Sequence, residues 1–99
     1  MRDYNLSDIA LTDLAAARDW YDEQGEDLGR QLMDDVFQAI RVARERPMSC
    51  PQVEDEIRSI RCDRFPYKVY FLPAKDVIEV LAVYHTSRDP TKWQRRDQD

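Results

Sequence analysis

The spacing of apolar residues changes at Pro47, and that change limits the folds open to the chain. Ahead of it, Ala10, Leu14, Ala17 and Tyr21 recur at steps of four, three and four, the period of one helical face. Ser7 stands in front as a good N-cap. A helix is therefore predicted from Asp8 to about Glu23, broken at Gly25. A second stripe, Leu28, Leu32, Val36, Ala39, Ile40 and Ala43, predicts a helix from about Glu26 to Arg46. Pro47 closes it, because a proline ring disfavours helical geometry in the residue before it. The short link makes the two an antiparallel hairpin.

Tyr4-Asn5-Leu6 is a short extended start, and Pro47 to Glu56 is expected to be loop. Strands are predicted at about Ile57 to Cys62, Tyr67 to Leu72 and Val77 to Tyr84. Pro73-Ala74-Lys75-Asp76 is a hairpin link, so the last two should pair antiparallel. Ile78, Val80, Ala82 and Tyr84 should share one face of the third, with Leu81 and Val83 on the other. A strand apolar on both faces belongs inside a covered sheet. Asp89-Pro90 looks like the N-cap and first residue of a short terminal helix holding Trp93. The expected fold is α+β, a helical hairpin packed on an antiparallel β-sheet in the order β-α-α-β-β-β with a short C-terminal helix.

At 99 residues the chain is expected to be a single domain, 1–99. With 42% of residues apolar and 35% charged it suits a soluble globular protein. No apolar run approaches the roughly 20 residues that span a bilayer. The start Met1-Arg2-Asp3-Tyr4 lacks the apolar core of a signal peptide, so no membrane association and a cytoplasmic location are expected. Cys50 and Cys62 lack metal-type spacing and are expected to be free thiols. Two separated cysteines and one histidine do not make a zinc site, and neither metal nor cofactor is expected.

The net charge of −5 conceals an asymmetry. Met1 to Glu56 holds six Lys/Arg against fourteen Asp/Glu, and Ile57 to Asp99 holds nine against six, a balance of −8 and +3. A free nucleic-acid binder carries a dominant basic field, which this chain lacks. Its local positive charge is carried by Arg58, Arg61, Arg64, Lys68, Arg88, Lys92, Arg95 and Arg96. These are either solvated residues or a basic face that meets an acidic partner or a phosphate backbone.

The order of elements and the residues within them resemble the ParE/RelE superfamily of bacterial toxins from type II toxin–antitoxin systems. The resemblance begins with Tyr4-x-Leu6-Ser7, Ala10-x-x-Asp13-Leu14, Trp20-Tyr21 and Ala39-Ile40 … Pro47. It continues through Ile57-Arg58 and Phe65-Pro66-Tyr67-x-Val69-Tyr70-Phe71. It ends in Val80-Leu81-Ala82-Val83-Tyr84-His85-x-x-Arg88-Asp89-Pro90-x-x-Trp93. It implies a ParE-like toxin of the plasmid stabilisation kind, neutralised by a cognate antitoxin in a hetero-oligomer. Such a toxin acts by binding a macromolecular target such as DNA gyrase. The alternative it implies is a RelE-like endonuclease that cuts mRNA on the ribosome without a metal. A third reading is an inactive module that only binds the antitoxin.

Metal-free RNA cleavage needs a base, an acid and cations for the phosphate. His85 offers a base or acid near neutrality. Arg61 and Arg88 offer guanidinium forks, and Tyr67 or Tyr84 could stack or donate a proton. The nuclease pattern Tyr-Arg-Leu-x-Tyr is not kept, however. When Tyr67-Lys68-Val69-Tyr70 is aligned on Tyr70, Tyr67 falls at the arginine, and Lys68 points to the opposite face. A binding toxin is therefore expected, with no catalytic residue assigned. Arg58, Arg61, Arg64, Arg88 and Trp93 are expected to meet the partner, although Arg58 and Arg61 should face opposite sides.

Overall fold

The computed structural model describes residues 1–87. Arg88, Trp93 and the terminal helix expected after Asp89 lie outside the described residues. Strand β1 (Asp3–Leu6) leads into helices α1 (Asp8–Gln24) and α2 (Leu28–Glu45), then a 3-10 turn at Pro47–Ser49. Strands β2 (Gln52–Glu54), β3 (Ile57–Arg61), β4 (Tyr67–Pro73) and β5 (Val77–His85) follow. They form one sheet in the order β1-β5-β4-β3-β2. The expected antiparallel pairing of β4 with β5 holds and continues through β3 to β2, whereas β1, against the expectation of an antiparallel sheet, joins the edge parallel to β5. The segment expected to be loop contains β2, which turns back on β3 through Asp55 at φ 49.

Ser7 caps α1 as its sequence suggests, its Oγ accepting from the Ala10 N–H. The second helix starts two residues later than expected, because Asp27 sits in the left-handed region at φ 69 and turns the chain. Its own carboxylate pairs with Arg30 instead of capping. The cap comes from the neighbouring helix, where Asp22 accepts the Gly29 N–H at 3.0 Å. The helices touch so closely there that a Cβ on Gly29 would lie 2.8 Å from the Arg18 carbonyl oxygen.

Both helices lie on one face of the sheet. Ala10, Leu14, Leu32, Val36, Ile40 and Ala43 pack there on Val69, Phe71, Ile78, Val80 and Val83. Each large side chain so buried contributes roughly 1.5–3 kcal/mol. A smaller cluster of Ile57, Tyr70, Ala82 and Tyr84 occupies the other face.

The alternation expected along β5 breaks at Leu81. Tyr70 pairs with Ala82 but Phe71 with Val80, which leaves Leu81 as an extra residue. Ile78 and Val80 therefore share the helix side with Val83, while Ala82 and Tyr84 face away. Polar groups at the start of α1 hold this bulge. The Ser7 Oγ donates to the Leu81 carbonyl at 3.0 Å, and Asp13 accepts the Val83 N–H at 3.1 Å.

Candidate functional site

The end of the sheet that carries His85 is built by a buried carboxylate and a run of aromatic rings. Asp35 lies on the apolar stripe of α2 and is 7% exposed. It accepts the backbone N–H groups of Arg64 at 2.9 Å and Phe65 at 2.7 Å, which fixes the turn between β3 and β4. Phe65 then meets Tyr21 edge-on at 5.2 Å, Tyr21 meets Tyr67 at 6.2 Å, and Tyr67 meets His85 at 5.3 Å. Trp20 stacks edge-on against Tyr21 and is 54% exposed, so it forms the rim. Between α1 and the strand ends lies a groove of about 180 Å³ lined by Asp13, Ala17, Trp20, Tyr67, Val83 and His85.

The His85 ring is held from its own turn. Its Nδ1 accepts the Ser87 backbone N–H at 3.1 Å, and the Ser87 Oγ lies 2.8 Å away. A backbone N–H can only donate, so the neutral ring carries its proton on Nε2. Among the described residues no hydrogen bond or ion pair joins His85 to a lysine or arginine.

The other expected site residues do not converge on this histidine. Tyr67 pairs with His85 across the strands on the helix side. Tyr84 is 2% exposed in the cluster on the opposite face. Arg61 pairs with Lys68, which stands on that opposite face. Arg58 pairs with Phe71 on the helix side, and its Nη1 donates to the Cys50 carbonyl at 2.7 Å. Arg64 donates to Gln31 and lies over the Phe65 ring. Arg58 and Arg64 are thus each engaged within the chain, and Arg61 lines a small cavity with Asp35 and Asp63.

The thiols offer no nucleophile either. Burial pushes Cys62 up to about 12, with Asp35 and Asp63 adding to the effect. Burial also raises Cys50, against the nearby Arg58. Among the described residues no three His, Cys, Asp or Glu side chains gather as metal ligands would. No helix among them is long and apolar enough to cross a membrane.

Residues 4–90 match the family model described as the ParE toxin of the type II toxin–antitoxin system parDE. The chain belongs to the ParE toxin family. Its fold is similar to a chain of the chromosomal ParDE system of P. aeruginosa, at 18% identity and TM-score 0.76, covering 88% of this chain and 98% of that one. A more distant likeness is to the isolated RelE toxin of E. coli, at 14% identity and TM-score 0.53, covering 99% and 98%. No curated protein matches in sequence. Membership of the ParE family makes this chain a ParE-like toxin of type II, on the α+β fold that both structures share.

The buried Asp35 and the bulge at Leu81 escaped the sequence reading. Asp35 left one signal, a carboxylate three residues after Leu32 and four before Ala39 on an apolar stripe. Such a group must find hydrogen-bond donors inside the fold.

Proposed function

We propose that this ParE-family chain arrests growth by binding a macromolecular target in the cytoplasm, DNA gyrase first among the candidates, rather than by cutting RNA. A cognate antitoxin holds it inactive in a hetero-oligomer. One observation carries the choice between binding and cleavage. Tyr67 and His85 pair on the helix side of the sheet, while Tyr84 is buried on the other and Arg61 pairs with Lys68 at the far end of β3, where it lines a small cavity with Gln38, Ala39 and Val42 of α2. Phosphodiester cleavage needs its base and its cations on the same phosphate, and among the described residues no lysine or arginine pairs with His85. The parDE family description and the ParDE likeness support the antitoxin as a partner.

The nuclease reading keeps one observation in its favour. Arg61, Lys68 and Tyr84 stand in a row across β3, β4 and β5. Tyr84 is buried, however, and cannot present its ring to a substrate from that position. Substituting His85→Ala and Arg61→Ala, singly and together, separates the two readings. Growth arrest after induction should persist in all three variants. Loss of arrest in His85→Ala with circular dichroism and thermal midpoint kept, together with cut mRNA after induction of the unaltered chain, would support the nuclease instead.

A further inference from the structure

The face of the sheet turned away from the helices is covered, although no described element lies across it. Tyr84 is 2% exposed and Tyr70 6%, their rings 5.9 Å apart in the cluster with Ala82 and Ile57. The free face of a one-layer antiparallel sheet normally meets water, and here both helices pack on the other side. Tyr84 is also poorly placed for shelter, one residue from the end of β5 and beyond Val80, where β1 stops. Only Leu72 and Leu81 of the same strands join the cluster, and neither stands opposite Tyr84, whose partner is Lys68. This burial belongs to the single chain, so the cover belongs to it too. The turn 62–66 is tied to Asp35 on the helix side, and Cys50 draws the segment after α2 into the helix-side core. Arg2 and the turn 74–76 lie together at the other end of β5. Residues 88–99 remain, and they leave β5 just past Tyr84.

We propose that this segment crosses the outer face from β5 towards β3 and seats the Trp93 indole on the rings of Tyr84 and Tyr70. Its apolar content suits so small a cluster. Pro90 and Trp93 stand three apart, on one side of the helix expected after Asp89, and the rest of the segment is polar. Along such a helix Asp97 falls about 6 Å beyond Trp93, a little more than one strand spacing of about 4.8 Å. That step carries Asp97 from above β5 to above β4, where Lys68 stands on the same face as Tyr84, and opposite charges meet. The other seat within reach, the groove by His85, is ruled out by its own rim, since Trp20 stays 54% exposed. Docked on the outer face, the segment leaves that groove open to a partner.

Nuclear Overhauser contacts of the Trp93 indole in the full chain test the seat directly. Contacts to the Tyr84 and Tyr70 rings are expected, with none to Trp20 or His85. In Trp20→Phe the fluorescence reports Trp93 alone, and acrylamide should quench it several-fold less than free tryptophan. Trp93→Ala should keep the circular dichroism of the fold and bind anilinonaphthalene sulfonate several-fold more, because an apolar face is uncovered. Indole contacts to the groove, or an indole quenched as freely as tryptophan in water, overturn the proposal. So does a folded Trp93→Ala chain whose dye binding is unchanged.

Discussion

Asp35 places a charge among apolar neighbours because two backbone N–H groups need it there. Replacing it with alanine strands the amides of Arg64 and Phe65 in a half-buried turn, each an unmet donor. We expect Asp35→Ala to lose about 2 kcal/mol in urea unfolding. Asp35→Asn, which keeps one acceptor oxygen, should lose less. The same turn carries Cys62, whose buried thiol stays protonated to about 12, against about 9 for an exposed one. Below pH 9 the folded and unfolded chains hold this proton equally. Above it the unfolded chain releases the proton first, so stability falls as pH rises from about 9 towards 12, by up to about 1.4 kcal/mol per unit. Burial and the neighbouring Tyr84 raise Tyr70 as well, which acts in the same direction. Urea midpoints taken across that range should decline, and Cys62→Ala should flatten the decline.

The helices were legible from apolar spacing because their period is set by one buried face, and Ser7 caps as its chemistry suggests. Their junction was not legible, since Asp27 adopts a left-handed turn and Asp22 caps the next helix from a distance. Gly29→Ala would drive a Cβ to 2.8 Å from the Arg18 carbonyl. A marked fall in thermal midpoint is expected, of the size that overpacking produces, roughly 1–3 kcal/mol. In β5 the strand was plain, but the bulge was hidden, because no charged residue lies between Glu79 and His85 to mark the change of side. Asp13 accepts the Val83 N–H close to that bulge. Asp13→Ala should therefore destabilise by about 1–3 kcal/mol, read by urea unfolding.

Among the described residues, His85 stands on the helix side of the sheet and Tyr84, the other expected carrier beside it, is buried on the opposite side. Strand parity separates Arg58 from Arg61 and was visible in the sequence. The burial of Tyr84 and the Ser87 contact to His85 depend on the folded neighbourhood and were not. The same sheet leaves Arg61 and Lys68 without an ion pair among the described residues. If these cations meet acidic residues of the antitoxin, Arg61→Glu with Lys68→Glu should weaken the complex and reduce its salt dependence. Calorimetry at low and high salt measures both effects.

A ParE-family chain that binds its target and does not cleave RNA should halt DNA synthesis before protein synthesis. Thymidine and methionine incorporation, followed together in one bacterial culture after induction, tests it most directly. Thymidine incorporation should stop early while protein synthesis continues. An early stop in methionine incorporation, with thymidine still entering DNA, would place the target at the ribosome and contradict the claim.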